Sequence, residues 1–252
     1  MNNQLKLGLT LFLLGLAGVL SMLTIGVPTD LLPPEVSTRF SPAVLQLLLL
    51  INPTFMLLAF TFIGTILYEK VNLEVPTLSR WLYGRPSTIT IQQQAIYGTA
   101  AGLGAGAIIS VIAGIFNSSL PREFIELSKK IQPTPIARFL YGGITEEILM
   151  RFGFMTLAVW IVFKIRKNLD ATTYWTGIVA AALLFAVGHL PIVFTLSGSP
   201  SAGLVLYILL GNSVAGLAFG WLYWKKGLEA AMIGHVFAHV AMLFAEKVFH
   251  LQ

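Results

Sequence analysis

Seven apolar runs recur along the chain, separated by short polar segments. Because a hydrocarbon layer about 30 Å thick requires about 20 apolar residues per helix, each run predicts a membrane-spanning α-helix. The predicted spans are Leu5–Val27, Pro42–Leu67, Ala95–Phe116, Ile136–Phe163, Tyr174–Leu196, Ala202–Trp224 and Leu228–Phe249. The first run is too long for a signal peptide and lacks a small-x-small cleavage site, which indicates an uncleaved anchor. Asn52-Pro53 interrupts the second run and predicts a kink there.

Two segments add detail to this pattern. Gly98, Gly102 and Gly106 recur at four-residue spacing in the third span, which predicts close packing against another helix. Residues Asn117–Pro135 interleave apolar and charged side chains, which predicts a short amphipathic helix at the membrane interface. The fold class predicted is therefore all-α, a polytopic bundle of about seven transmembrane helices plus one interfacial helix. The very short connectors after residue 135 favour two parts, 1–134 and 135–252, of which the second is one compact bundle.

Composition supports this picture and excludes others. Of 252 residues, 56% are hydrophobic and only 11% are charged, and the mean hydropathy is +0.80. A soluble domain carries about 25% charged residues, so a soluble globule and a disordered chain are excluded, and no basic stripe exists to bind nucleic acid. The absence of cysteine excludes disulfides and thiolate chemistry. The sequence predicts a multi-pass protein of a bacterial or archaeal cytoplasmic membrane. The lipid bilayer is therefore one of its predicted partners.

The distribution of Lys and Arg gives a modest orientation signal. With the N-terminus inside, nine basic residues fall in inner segments and six in outer segments. Positive charge is enriched on the cytoplasmic side of membrane proteins, so the N-terminus is predicted inside. This bias is too small to fix the side to which a site would open, and oligomeric state is not readable from the sequence.

Charged residues in the middle of a span are the informative exceptions. Glu146, Glu147 and Arg151 lie within the fourth predicted span. Three unpaired charges there would cost on the order of 9 kcal/mol, at about 3 kcal/mol each. Glu147 and Arg151 have the four-residue spacing and the order of a helical ion pair. Glu146 projects about 100° away and has no basic residue on its own helix at that spacing, so it is either neutral or held by another helix.

Three histidines also fall inside predicted spans. His189 lies in the fifth, and His235 and His239 share one face of the seventh because they are four residues apart. With Glu146 they predict one shared site on three helices. One carboxylate and three imidazoles can hold a zinc ion and its water, or can activate water without metal. The chain contains neither His-Glu-x-x-His nor Gly-x-Ser-x-Gly, so attack by water is the favoured chemistry.

These residues resemble the three motifs of the CPBP family, which comprises CAAX proteases and bacteriocin-processing enzymes and is also called the ABI domain. The motifs read Glu146-Glu147-Ile-Leu-Met-Arg151, Phe185-Ala-Val-Gly-His189 and His235-Val-Phe-Ala-His239. The resemblance covers roughly Pro135–Phe249. It implies an intramembrane endopeptidase, metallo or glutamate type, acting on membrane-associated or lipidated peptide or protein substrates.

The resemblance also implies a role for each motif residue. Glu146 and His189 would activate water, and His235 and His239 would stabilise the oxyanion. Glu147 and Arg151 would hold the helices in register. Position 239, commonly Asn in the prenyl-protease branch, is His here; an imidazole can still donate one hydrogen bond, and it adds a nitrogen ligand. The set Glu146, His189, His235 and His239 is therefore also the candidate zinc site, and the sequence leaves zinc and a metal-free mechanism open.

Other functions use the same residues. A proton-coupled transporter would employ the Glu and His cluster as a relay, although no two-fold repeat is evident. A haem protein would use His189 with His235 or His239 as axial ligands, which leaves Glu146 unexplained. A non-catalytic immunity or scaffold member of the family would need none of these side chains chemically.

Overall fold

The computed structural model describes residues 2–26, 35, 39–117, 120–121, 133–197 and 199–249. Within these ranges the chain forms helices joined by short connectors. We number them α1 (Asn3–Ser21), α2 (Pro42–Leu49), α3 (Ile51–Leu67), α4 (Pro76–Tyr83), α5 (Ile91–Phe116), α6 (Pro135–Arg166), α7 (Ala171–Gly188), α8 (Leu190–Ser197), α9 (Ala202–Lys226) and α10 (Leu228–Phe249). The predicted interfacial helix over 117–135 lies almost entirely outside the described residues, as does His250.

Seven helical segments of the described chain are long and apolar enough to cross a membrane, which confirms the predicted fold class. They are Asn3–Thr24, Pro42–Val71, Ile91–Phe116, Pro135–Arg166, Ala171–Thr195, Ala202–Lys226 and Leu228–Phe249. Several begin before the apolar run because polar caps set their ends. Thr90 and Gln93 form a capping box at α5, and the Asp170 carboxylate accepts the backbone N–H of Thr173 at α7. Each cap satisfies helix N–H groups that would otherwise lack partners.

Two proline residues shape the breaks in the helices. The second span is interrupted at Leu50, between α2 and α3, rather than at Asn52-Pro53 where the kink was predicted. Pro53 has no N–H to donate to a carbonyl four residues earlier, so the interruption falls on its N-terminal side. Pro191 acts in the same way on the fifth span, where α7 ends and α8 begins at His189. The second break places an imidazole at the joint between two helices.

Helix α6 contains an unusual stretch. Over Arg138–Glu146 and Ile148–Met155 its backbone bonds follow the wider i→i+5 pattern of a π-helix. Such turns are rare and concentrate at functional sites. They carry the Glu146–Arg151 motif apart from Glu147, which lies at the junction of the two stretches. Successive side chains in a π-helix are separated by less than the 100° of an α-helix.

Close contacts at glycine fix α6 from one side. The Thr145 hydroxyl donates to the carbonyl of Gly15 at 2.7 Å. A Cβ at Gly18 would overlap both the Thr145 side chain and the carbonyl of Leu140. Helix α1 therefore packs directly on the backbone of the π-helical segment, where only glycine allows the approach.

The glycines of α5 pack in the manner that their spacing predicts. A Cβ at Gly98 would lie 2.8 Å from the carbonyl of Ala230, and one at Gly106 would lie 2.5 Å from the carbonyl of Ala238. Gly102 makes the same kind of approach to Gly234, the residue before His235. Helix α5 is thus held against α10 over three turns, and this contact sets the position of the histidine-bearing face.

Candidate active site

Helices α6, α7, α9 and α10 enclose a cavity of about 520 Å³. It lies toward the end of the bundle at which α1 ends and α6 begins, because Met22, Ile25 and Pro133 contribute to its wall. Most of its other lining residues are aliphatic or aromatic. The four predicted site residues all line this one cavity: Glu146, His189, His235 and His239.

The two adjacent glutamates have different surroundings. The Glu147 side chain is 0% exposed, and one of its oxygens, Oε2, lies 3.2 Å from Arg151 Nε. Glu146 is 19% exposed and faces the cavity, with its Oε2 3.8 Å from His235 Nε2. Glu146 is therefore open to the cavity, whereas Glu147 and Arg151 form a buried ion pair on α6.

His235 lies between the two carboxylates. Its Nδ1 is 2.7 Å from Glu147 Oε1, while its Nε2 is directed toward Glu146. A carboxylate accepts hydrogen bonds, so Nδ1 carries a proton and donates a hydrogen bond to Glu147. This arrangement fixes the orientation of the ring and leaves Nε2 for the cavity. The spacing of the motifs gave no sign that Glu147 serves Arg151 and His235 together.

His189 is oriented by backbone. Its Nδ1 is 2.7 Å from the carbonyl oxygen of Phe185, four residues earlier. Because a carbonyl only accepts, Nδ1 is the donor and Nε2 of the neutral ring is an acceptor. The ring also packs edge-on to Phe185, with centroids 4.7 Å apart. Phe185 therefore orients His189 through both its backbone carbonyl and its ring.

The rings of His235 and His239 are stacked. Their centroids are 5.0 Å apart and their planes differ by 24°. His239 Nδ1 is buried and has no hydrogen-bond partner among the described residues. Its Nε2 lies beside Gly142, whose lack of a Cβ leaves room for both imidazole edges.

A metal ion finds no ready ligand set here. In the described ranges no group of three or more His, Asp or Glu side chains could hold one. We therefore derive the chemistry below from the side chains alone.

Arg151 is held by aromatic rings as well as by Glu147. Its guanidinium carbon lies 5.0 Å from the centroid of Phe185 and 5.4 Å from that of Phe219. Phe219 also stacks on His235, with centroids 4.8 Å apart. A desolvated cation gains up to about 2 kcal/mol from an aromatic face. Sequence reasoning missed Phe219, because a phenylalanine in a membrane helix carries no distinguishing signal.

Sequence reasoning also missed four other residues that line the cavity: Arg138, Tyr141, Gly142 and Asn212. Asn212 had a detectable signal, since it is an amide within an apolar span. Its Nδ2 donates to the carbonyl of Ile208 at 2.8 Å. Arg138 was one of the six basic residues counted in the outer segments.

The fold and site define a polytopic membrane protein with a buried glutamate and histidine cluster open to a cavity. Residues 132–241 match the family described as Rce1-like, type II CAAX prenyl endopeptidase Rce1-like. This match confirms the resemblance to the CAAX-protease family that the three motifs indicate. At the level of the family it supports a CAAX-protease-like intramembrane endopeptidase, an integral multi-pass protein with peptide or protein substrates. No curated protein and no solved structure matches the chain.

Proposed function

We propose that this chain hydrolyses peptide bonds of membrane-associated or lipidated substrates in the cavity of α6, α7, α9 and α10, with water activated at Glu146. The observation that carries the proposal is the placement of Glu146 on the cavity wall, 3.8 Å from His235 Nε2. That separation exceeds a direct hydrogen bond, and one water can contact both groups. The carboxylate is the acceptor for the proton of that water.

The reaction follows from the hydrogen-bond roles of the side chains. Water attacks the carbonyl carbon of the substrate as Glu146, aided by the acceptor Nε2 of His189, takes its proton. The carbonyl oxygen becomes an oxyanion, which the imidazoles of His235 and His239 stabilise by donating hydrogen bonds. The C–N bond then breaks, and the proton held at Glu146 passes to the leaving amine.

His235 can donate to an oxyanion only under one condition. Its Nδ1 proton is already directed to Glu147, so donation from Nε2 requires the doubly protonated ring. A cationic His235 with Arg151 would balance the two glutamates, giving a buried group of four charges with no net charge. Glu147 thus supports the reaction by stabilising the charge on His235 without touching the substrate.

The remaining cavity wall suits a lipid chain. Its apolar residues come from several parts of the described chain and include Met22, Ile25, Ile109, Ile192, Ile208 and Met242. A volume of about 520 Å³ is within the range of small-molecule sites. We infer that this wall holds the lipid or apolar residues of the substrate while the polar side holds the scissile bond.

The variant Glu146→Gln tests the proposal. In purified protein reconstituted in vesicles, it should abolish cleavage of a prenylated peptide while its thermal unfolding matches that of the wild type. Hydrolysis retained in this variant would contradict the proposed role of Glu146. Substrate-dependent proton flux in the wild type that Glu146→Gln abolishes, without cleavage in either, would favour the relay function instead.

A further inference from the structure

A second concave space, which we call the α5–α9 groove, lies between helices α5 and α9. It has a volume of about 560 Å³, and among the described residues it shares no lining residue with the cavity of Glu146. Small side chains on both helices make it deep, including Ala101, Gly104 and Ala105 on α5 and Ala218 on α9. A Cβ at Gly104 would meet nothing within 4 Å. The groove is therefore an open apolar channel on the surface of the bundle.

The groove has the length of one membrane leaflet. Its α5 wall runs from Ile108 to Ala101, and Tyr97 continues the same helix face one turn further. Tyr97 and Ile108 are eleven residues apart, which corresponds to about 16 Å of helix. That is roughly half of a hydrocarbon layer about 30 Å thick. A single lipid chain of one leaflet therefore fits along it.

The end of the groove at Tyr97 carries two lysines. Lys226 Nζ lies 4.1 Å from the ring centroid of Tyr97, and Lys225 Nζ lies 3.5 Å from that of Trp224. Lys225 also follows Trp221, a lining residue, by one helical turn. With the described residues neither lysine forms an ion pair. Tryptophan and lysine gather at the membrane–water interface, where lysine attracts anionic headgroups. The apolar channel thus ends at positive charge without a protein counter-charge.

We propose that the α5–α9 groove binds an anionic phospholipid, with one acyl chain in the channel and the phosphate at Lys225 and Lys226. This site goes beyond the proposed peptidase reaction and does not depend on it. Helix α5 packs on α10 through Gly102 and Gly234, and α9 carries Phe219, which stacks on His235. A lipid that bridges α5 and α9 therefore stabilises the two helices that support the histidine-bearing face.

Two lipids that share their acyl chains, phosphatidylglycerol and phosphatidylcholine, test the charged end of the site. Native mass spectrometry of the purified wild type should show one retained phosphatidylglycerol. That lipid should also raise the temperature of thermal unfolding in detergent more than phosphatidylcholine does. Lys225→Gln combined with Lys226→Gln should weaken phosphatidylglycerol binding about 30-fold, because two attractions between lysine and anionic lipid are lost. The matched control, Lys70→Gln combined with Lys164→Gln, removes the same charge from other parts of the chain and should keep the preference.

The variant Gly104→Leu tests the channel. The space around a Cβ at Gly104 accepts the larger side chain, and leucine favours a helix over glycine. In the absence of lipid the variant should therefore unfold at or above the wild-type temperature. It should lose the bound phosphatidylglycerol, because leucine occupies the place of the acyl chain.

Four outcomes would overturn the lipid site. Equal binding of the two lipids by the wild type, or equal losses in the two pairs of lysine variants, would remove the role of Lys225 and Lys226. Phosphatidylglycerol binding that survives Gly104→Leu would place the lipid elsewhere. A wild-type dimer that Gly104→Leu dissociates would show that a second copy of the chain covers the groove. Inorganic phosphate should leave the unfolding temperature unchanged, and a shift as large as that from phosphatidylglycerol would show a site for free anions. None of these measurements involves cleavage, so the failure of the peptidase proposal would leave this site standing.

Discussion

His235 Nδ1 lies 2.7 Å from Glu147 Oε1, and neither side chain is more than 6% exposed. The same carboxylate approaches Arg151 with its other oxygen at 3.2 Å. Glu147 therefore joins the buried ion pair of α6 to the imidazole of α10. The two adjacent glutamates differ accordingly, since Glu146 faces the cavity and Glu147 is enclosed by protein.

The variant Glu147→Gln should lose stability as well as activity. Its amide oxygen still accepts from His235 Nδ1, but Arg151 and a protonated His235 lose their counter-charge. We expect a loss of about 3 kcal/mol in unfolding free energy, as for a broken buried pair, and a lower cleavage rate. Thermal unfolding in detergent and cleavage assays of the wild type, Glu147→Gln and Glu146→Gln check these two losses. Unfolding of Glu147→Gln at the wild-type temperature would show that the pair is not a stabilising contact.

Gly142→Ala should impair catalysis without unfolding the protein. The added Cβ would lie 2.8 Å from His239 Nε2 and 3.3 Å from His235 Nε2, so the rings must shift. A displacement of reacting groups by about 1 Å can cost about 100-fold in rate, and we expect kcat to fall at least about tenfold. Gly104→Ala is the control, because nothing lies within 4 Å of a Cβ at that position of α5. Equal kcat values for both variants would contradict the prediction.

Phe219→Leu should weaken the support of the buried charges. Leucine keeps most of the volume but removes the aromatic face that contacts both Arg151 and His235. We expect a loss of about 1–2 kcal/mol in stability, together with lower activity. Phe62→Leu serves as the comparison, since Phe62 is 66% exposed on the outside of α3. The prediction is wrong if the two variants unfold at the same temperature.

Removal of divalent metal should leave cleavage intact. The described residues offer no group of three metal ligands. We expect purified protein to hold less than one equivalent of zinc and to remain active in a chelator. Stoichiometric zinc, with activity that a chelator removes and added zinc restores, would show that these side chains rearrange around a metal.

The spans could be predicted because each depends on local composition alone. The run Leu228–Phe249 agrees at both ends with the observed helix. The start of α7 was predicted three residues late, because the cap at Asp170 and not hydropathy determines where that helix begins. Helix α4 was missed, since eight residues in a polar connector give too short a period to recognise. The division at residues 134 and 135 stays a prediction.

The sequence predicted which four side chains would meet, and they line one cavity, but it did not predict their contacts. Burial of charge in a span identified Glu146 and Glu147, and spacing joined His235 to His239. The partners across helices were not predictable, because a sequence gives no distance between α6 and α10. For this reason the contact of Glu147 with His235, and the rings of Phe185 and Phe219 around Arg151, emerged only from the structure.

The wide turns of α6 have a consequence for assembly in the membrane. Thr145 within them donates a hydrogen bond to Gly15 on α1, and a peptide of residues 135–166 alone lacks that contact. It should relax to an ordinary α-helix, with the two glutamates about 100° apart and no histidine beside them. The proposed peptidase is thus inert throughout its own insertion, and becomes able to cut a neighbouring protein only when its last helix has docked.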